Sequence, residues 1–302
     1  MLRSFPARLE RFGSVDSTQA IVAAWLAAGA PEVCVAVADE QRQGRGRHGR
    51  SWQAPPGAGL LVSCGFRPTW LDPRDAWRLG AIVALAMLDA AEEVAGLREG
   101  ALGLKWPNDL VADGPGGTLR KVAGVLGETT GEGGGDAVRP GAEAAGGEAA
   151  GGEAGARATS PAVERPEGAG RAVTGGRLLT AVIGIGVNVE WAERDFPPDL
   201  ANAMTSLSAL GGGRPVDRDA LLEGFLGRLE SRLEALRGGR FDAGSWSTRQ
   251  RTTGRRLAVE VGGEVLEGTG VGVDPADGAL LLDTGQGTTR IDAGEVIRCR
   301  LA

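Results

Sequence analysis

The stretch from Asp39 to Trp52, DEQRQGRGRHGRSW, sets four arginines (Arg42, Arg45, Arg47, Arg50) and the only histidine, His48, among three glycines. Glycine lets the backbone approach a ligand closely, and backbone N–H groups beside guanidinium forks suit phosphate or carboxylate. An anion is therefore expected here. Gly44, Gly46 and Gly49 also spell GxGxxG, which marks a dinucleotide site only where a helix opens directly afterwards. Pro55 and Pro56 follow instead, then the apolar run LLVSCGF, so the segment reads as a loop joining two strands. The plainer alternative is a solvated basic loop or a nucleic-acid patch.

Lysine usage supplies a second signal. Of 33 Lys and Arg residues only Lys105 and Lys121 are lysine, so arginine serves wherever a generic positive charge is enough. A compact ammonium reaches a single oxygen in a way that a planar guanidinium does not, which favours a functional role for both over chance survival on the surface. Lys105 lies in LGLKWPNDLV, where Pro107 forbids a continuous central strand and presents Lys105, Asn108 and Asp109 at a strand end or bend. Lys121 heads KVAGVLGE, a strand relieved by Gly124.

Several elements have to position these groups. Asp16 or Ser17 is a plausible cap for a helix through Ala28 that Gly29 and Pro31 close; capping alone would account for Ser17 and Thr18. EVCVAVADE leads into the arginine loop as a buried strand and GLLVSCGF leaves it. Residues 74–95 carry Trp77, Ile82, Leu85 and Leu88 on one face and end at Gly96, predicting a long helix packed on a sheet. In IGIGVNV, Ile183, Ile185, Val187 and Val189 point one way, while Gly184, Gly186 and Asn188 point the other, leaving room for a ligand or for close packing on a helix. Asp217 caps a leucine-rich core helix that Gly238 closes.

Residues 131–176 break the pattern: 14 Gly, 12 Ala and seven acids, without Leu, Ile, Met or an aromatic, cannot bury enough apolar surface to offset ordering entropy. They are expected to form a disordered insertion at the tip of a hairpin between KVAGVLGE and RLLTAVIGIGVNV. From Gly254 onward short strands and turns predict a five-stranded SH3-like barrel on the main domain, giving domains of 1–250 and 254–302.

The net charge of −6 argues against a general nucleic-acid or anionic-membrane binder, so the basic loop is a local feature. Cys34, Cys64 and Cys299 show no metal spacing and read as buried small hydrophobes in a reducing compartment. The N-terminus lacks an apolar signal core and no stretch is long enough to span a bilayer, which places the chain in the cytoplasm.

Taken in order, DSTQ, EQRQGRGRHGRSW, KWPNDL, KVAGVLGE and GIGVNV, ahead of a small C-terminal β domain, closely resemble a biotin protein ligase over nearly everything except the insertion. The resemblance implies an α+β catalytic domain, a mixed β-sheet flanked by helices and related to class II aminoacyl-tRNA synthetases. It implies that biotin and MgATP give biotinyl-5′-AMP and pyrophosphate, and that a lysine of a biotin carboxyl carrier protein domain then takes the biotinyl group. Ser17, Thr18 and Gln41 match groups holding the ureido end of biotin; Gln19 stands where the family often has Asn. Arg45, Gly46 and Arg47 match the loop closing over the adenylate, Lys121 matches the lysine that bonds the acyl and phosphoryl oxygens, and Asn188 matches a nucleotide-site position. Gly124 completes the biotin set; Arg50, Asn108, Asp109 and Arg255 complete the ATP set; Lys121, Arg47 and Lys105 are the candidate catalytic groups. Mg²⁺ is expected to ride on ATP phosphates and water without a protein metal site.

Relatives that double as repressors carry a helix-turn-helix ahead of the DST segment, where about a dozen residues stand here, so a stand-alone enzyme without DNA or membrane binding is expected. A homodimer is compatible with this reading. A lipoate or octanoyl transferase of the same superfamily is the nearest alternative, and a nucleic-acid-binding module using the arginine loop is the alternative of another class.

Overall fold

Ser17 stands in extended conformation ahead of α1 (Thr18–Ala27), and its hydroxyl accepts from the backbone N–H of Ala20 at 3.4 Å. Gly29, at φ 88°, ends that helix in the left-handed region where glycine carries no Cβ penalty. This computed structural model describes residues 5–131, 142–144 and 180–301. Helix α1 joins β1 (Arg8–Val15) to β2 (Cys34–Gln41), and the arginine loop runs from β2 to β3 (Gly59–Phe66), between two anchored strands as expected.

The loop is followed by α2 (Trp77–Val94), β4 (Leu102–Lys105), β5 (Asp109–Asp113), β6 (Leu119–Thr130), β7 (Ala142–Ala144) and β8 (Thr180–Asn188). These strands form one mixed sheet in the order β1-β2-β3-β8-β6-β5-β4, with β7 alongside β6. The β1–β2 and β6–β7 pairs are parallel and the remaining pairs antiparallel. Pro107 sits in the turn of the β4–β5 hairpin, where no ladder hydrogen bond is lost. Thr130 pairs with Thr180, so the 131–176 segment leaves and re-enters at a hairpin tip. Residues 142–144 pair with Gly127–Thr129; the rest of the expected disordered insertion, apart from residue 131, lies outside the described residues.

Strand period decides which face each helix covers. Val62, Cys64 and Phe66 of β3 and Ile183, Ile185 and Val187 of β8 face α2 and α4 (Arg218–Arg237), forming the main core. On the opposite face α1 packs Val22 and Leu26 over Cys34 and Ala36. Asp217 caps α4 through Asp219 and Ala220, and α3 (Leu207–Leu210) and α5 (Ala243–Thr248) complete the helices. Residues 249–251 cover the outer edge of β4, with Leu104 N–H donating to Arg249 at 2.8 Å and Arg251 N–H donating to Leu104 at 2.7 Å.

The chain then forms β9 (Arg255–Val261), β10 (Glu264–Val273), β11 (Leu280–Asp283), β12 (Thr288–Ile291) and β13 (Glu295–Leu301), an antiparallel sheet in the order β12-β11-β10-β9-β13. The expected strand count holds, but among the described residues no pairing between β12 and β13 closes this sheet into a barrel. It packs on the mixed sheet through the indole N–H of the buried Trp106, which donates to Gly278 at 3.0 Å, and through Arg255, which pairs with Asp113 at 2.6 Å. No helix among the described residues is long and apolar enough to cross a membrane.

Candidate functional site

A cavity of about 890 Å³ opens where the arginine loop, the β4–β5 turn, the start of β6, residues 197–204 and the first part of β13 meet. Its lining holds six cationic side chains (Arg45, Arg47, Arg50, Lys105, Lys121, Arg298) against three carboxylates (Asp109, Asp199, Glu295). In a chain of net charge −6 this concentrates positive potential in one concave place, the arrangement that draws an anionic ligand.

Asp109 organises the two lysines. Lys121 Nζ lies 2.6 Å from one carboxylate oxygen and Lys105 Nζ 3.9 Å from the other. Burial alone would push the Asp109 carboxyl up, but Lys121 and Lys105 outweigh it and hold the group below the usual carboxylate range. It therefore stays charged at neutral pH and keeps both ammonium groups in place. The backbone of Lys121 is fixed as well: its N–H donates to Ala203 at 2.7 Å and its carbonyl accepts from Thr205 at 2.9 Å, taking up where β8 ends. Next to it, Arg120 donates to the Met204 carbonyl at 2.9 and 3.1 Å.

The arginine loop is closed at its neck by Trp52 N–H donating to Gly44 at 2.9 Å and Gly46 N–H donating to Arg50 at 2.6 Å. Each arginine has a protein acceptor: Arg42 reaches Asp16 at 2.8 Å, Arg45 reaches Glu128 at 3.1 Å, Arg47 the Gly294 carbonyl at 3.0 Å, and Arg50 pairs with Glu295. Burial raises Glu295, yet the Arg50 hydrogen bond and charge outweigh it and leave this carboxyl lowered. Gly46 has φ −118° and ψ 178°, an extended conformation open to any residue. The demanding positions are Gly44, where a Cβ would stand 2.3 Å from the Trp52 carbonyl oxygen, and Gly49, which holds φ 70°.

The other end of the cavity is uncharged. Gln41 Oε1 accepts from the Thr18 N–H at 2.8 Å and from the Thr18 hydroxyl at 3.0 Å, and that hydroxyl lies 2.8 Å from Ser63 Oγ. The space freed by the β8 glycines is used by the protein itself: a Cβ on Gly184 would meet Gln19 at 2.9 Å, and one on Gly186 would meet Trp52 Nε1 at 2.5 Å. Trp52 thus lies over Gly186 and Gly124, with Lys121 Nζ 5.2 Å from its ring centroid.

The cavity joins a neutral, hydrogen-bonding floor to a cationic mouth, so it fits an elongated acid whose carboxylate meets a phosphate. Residues 12–139 match the model of the Biotin/lipoate A/B protein ligase family. The biotin–[acetyl-CoA-carboxylase] ligase of Mycobacterium tuberculosis is 30% identical over 97% of this chain and 90% of its own length. The chain belongs to the biotin protein ligase family. The bifunctional ligase/repressor BirA of Bacillus subtilis is 26% identical over 88% of the chain, which spans 66% of that protein. The Aquifex aeolicus biotin protein ligase in complex with biotin and ATP shares the fold at a TM-score of 0.68, 24% identity, and coverage of 98% of this chain and 99% of that one.

Against this biotin protein ligase framework most of the expected residues converge. Thr18, Gln41, Arg45, Gly46, Arg47, Arg50, Lys105, Asn108, Asp109, Lys121 and Gly124 all line the cavity. Asn108 also ties the turn to β6, donating to the Val125 carbonyl at 2.8 Å. Three do not join them. Ser17 serves as the α1 cap, the fully buried Asn188 donates to the Thr205 carbonyl at 3.1 Å, and Arg255 clamps the C-terminal sheet to Asp113. Cys299 is only half-buried and lines the cavity, unlike the buried Cys34 and Cys64.

Sequence reasoning missed Ser63, Trp52 and the β13 wall. A lone hydroxyl inside the apolar run LLVSCGF and an aromatic closing the arginine loop were signals for the first two. Nothing local marks Glu295 to Cys299 as neighbours of a loop some 250 positions earlier.

Proposed function

We propose that the cavity binds biotin with its ureido ring towards Thr18 and Gln41 and its carboxylate towards Lys121, and binds MgATP with its phosphates among Arg45, Arg47, Arg50 and Lys105. The biotin carboxylate oxygen attacks the α-phosphorus and pyrophosphate leaves, giving biotinyl-5′-AMP. The ε-amine of a carrier lysine then attacks the acyl carbon, AMP leaves, and the amine's proton passes to solvent. The carrier in this reading is a biotin carboxyl carrier protein domain, and the mycobacterial relative's name points to acetyl-CoA carboxylase as the enzyme that holds it.

The observation that carries this reading is the Lys121–Asp109–Lys105 cluster, facing the arginine loop across a cavity whose far end is neutral and polar. Attack of one anion on another is slowed by charge repulsion, and preorganised ammonium and guanidinium donors relieve it in the transition state without a nucleophilic side chain. The main chain of Lys121 is fixed by Ala203 and Thr205, which supports its assignment to holding the carboxylate and phosphoryl oxygens together. Lys105 and Arg47 offset charge on the phosphates, and Mg²⁺ arriving with ATP adds further neutralisation there. The cationic groups line a concave cavity in a chain of net charge −6, which disfavours an open basic patch for nucleic acid.

Biotin-dependent exchange of pyrophosphate into ATP tests this function directly. Exchange with biotin, and little with octanoate or lipoate, is the expected result. Exchange driven by octanoate or lipoate but not biotin would move the assignment to an acyl transferase of the same superfamily.

A further inference from the structure

Lys105 and Lys121 are the only lysines in the chain, and both line the cavity. Every other cationic side chain is arginine or the single histidine, and a guanidinium stays protonated, without a lone pair to take up an acyl group. A mixed anhydride formed in this cavity therefore meets side-chain amines of its own protein only at these two positions. Both lie against one carboxylate: Asp109 is 2.6 Å from Lys121 Nζ and 3.9 Å from Lys105 Nζ.

Lys121 is the vulnerable one. In the reaction proposed above its Nζ bonds the acyl and phosphoryl oxygens, which sets it beside the acyl carbon of biotinyl-5′-AMP. An ordinary lysine at pH 7 is a free amine in about 4 molecules of 10,000. A group held against its target, however, reacts as though present at about 10⁵ M or more. So small a free fraction does not offset such proximity, and a chain that makes this intermediate needs the amine kept in its charged form. Two features do so. The Asp109 carboxylate, with 16% of its side-chain surface exposed, pairs with Nζ, and the face of the Trp52 ring, its centroid 5.2 Å away, also favours a cation. Without the carboxylate, Lys121, Lys105 and Arg47 would remain as neighbouring like charges. Loss of the Lys121 proton would then relieve their repulsion, the arrangement that activates a nucleophilic lysine.

We propose that Lys121 is a latent acylation site of this chain, and that Asp109 keeps it silent by holding it as an ammonium against the bound adenylate. The inference rests on the function proposed above. When the carboxylate is removed, the Lys121 ε-amine attacks the acyl carbon, the C–O bond to the phosphate breaks, AMP leaves with the electron pair, and the amine's proton passes to solvent. The product is a biotinyl amide on Lys121, which ends turnover. Outside the cavity no lysine side chain of the protein competes with the carrier for the adenylate.

Asp109→Asn removes the charge and keeps the volume; Asp109→Glu restores a carboxylate. Each full-length chain is incubated with synthetic biotinyl-5′-AMP in the absence of carrier, so that the outcome does not depend on the rate of adenylation. Intact mass and peptide mapping then read the number and position of biotinyl groups. We expect acylation of Lys121 at least tenfold faster in Asp109→Asn than in the wild type, within threefold of the wild type in Asp109→Glu, and none at position 121 when Asp109→Asn is combined with Lys121→Arg. A merely structural role for Asp109 would weaken adenylate binding and create no amide, so the covalent product separates the two. An Asp109→Asn chain that binds the adenylate and stays unmodified, modification at Lys105 alone, or a wild type acylated at Lys121 as fast as the variant would overturn the proposal. If Asp109→Asn does not fold, Asp109→Ala carries the same expectations. Titration calorimetry of the wild type with biotinyl-5′-AMP keeps this proposal apart from the proposed function: absence of binding overturns both, whereas binding without acylation in the variant overturns this proposal alone.

Discussion

At the scale of single residues, the two lysines show why charge by itself does not define a site. Lys121 Nζ sits 2.6 Å from Asp109 and 5.2 Å from the Trp52 ring centroid, a position reached by a compact group between a carboxylate and an aromatic face. Arginine there would keep the charge but spread it over a longer, planar fork that overlaps the space of Trp52 or Asp109. Lys121→Arg is expected to lower the rate of adenylate formation at saturating biotin and ATP by more than tenfold, above about 1.4 kcal/mol of transition-state stabilisation. A rate within twofold of wild type would remove Lys121 from the reaction. The same residue was conspicuous in the sequence because a lysine survives there in a chain that otherwise uses arginine. Asn188 was equally conspicuous, yet it is fully buried outside the cavity lining, with its amide nitrogen donating to the Thr205 carbonyl.

At the scale of elements, the arginine loop is a strand-to-strand connection whose neck is bridged between Arg45 and Ser51. Its glycines are not equivalent. A Cβ at position 44 would stand 2.3 Å from a backbone oxygen that has no freedom to rotate away, whereas one at position 46 would meet the Arg50 carbonyl at 3.3 Å. Gly44→Ala must therefore open the neck, and Gly46→Ala only needs a shift of a few tenths of an ångström. We expect Gly44→Ala to lower kcat/KM for biotin by more than tenfold and Gly46→Ala by no more than about threefold, with circular dichroism of both unchanged. Comparable effects would mean that the neck geometry is not what positions Arg45 and Arg47. The loop was recognisable from its composition and flanking strands; the identity of its critical glycine was not, because GxGxxG spacing carries no information about which glycine a distant carbonyl approaches.

At the scale of the whole molecule, the C-terminal sheet is a wall of the site. Glu295 of β13 receives Arg50, with His48 Nε2 at 3.5 Å, and the neighbouring Gly294 carbonyl receives Arg47. Since the Glu295 carboxyl is lowered on folding, its tie to the loop is present above the ordinary carboxylate range and is lost as pH falls through its lowered value. Amide exchange of residues 44–52, corrected for intrinsic pH dependence, should stay slow through the ordinary carboxylate range and accelerate only as pH falls below it. Glu295→Gln should show faster exchange already at neutral pH, together with several-fold faster tryptic cleavage after Arg47 and Arg50. Equal exchange in variant and parent at neutral pH would show that the C-terminal sheet does not hold the loop.

The sequence by itself determined the local elements and the chemistry they carry. Period and caps located α1, α2, α4 and the strands around the arginine loop, because helix and strand registers repeat over a few residues and leave a readable mark. The 131–176 segment could be placed at a hairpin tip because its composition cannot build a core and recognisable strands flank it, and Thr130 does pair with Thr180. Only the tertiary structure decided which candidates meet. Ser17, Asn188 and Arg255 turn to a helix cap, a carbonyl and an inter-sheet ion pair, while Ser63, Trp52 and Glu295 enter the cavity. Those outcomes depend on sheet register and on contacts between residues up to 247 positions apart, where the direction of a side chain is set by what packs against it and not by its neighbours in the chain.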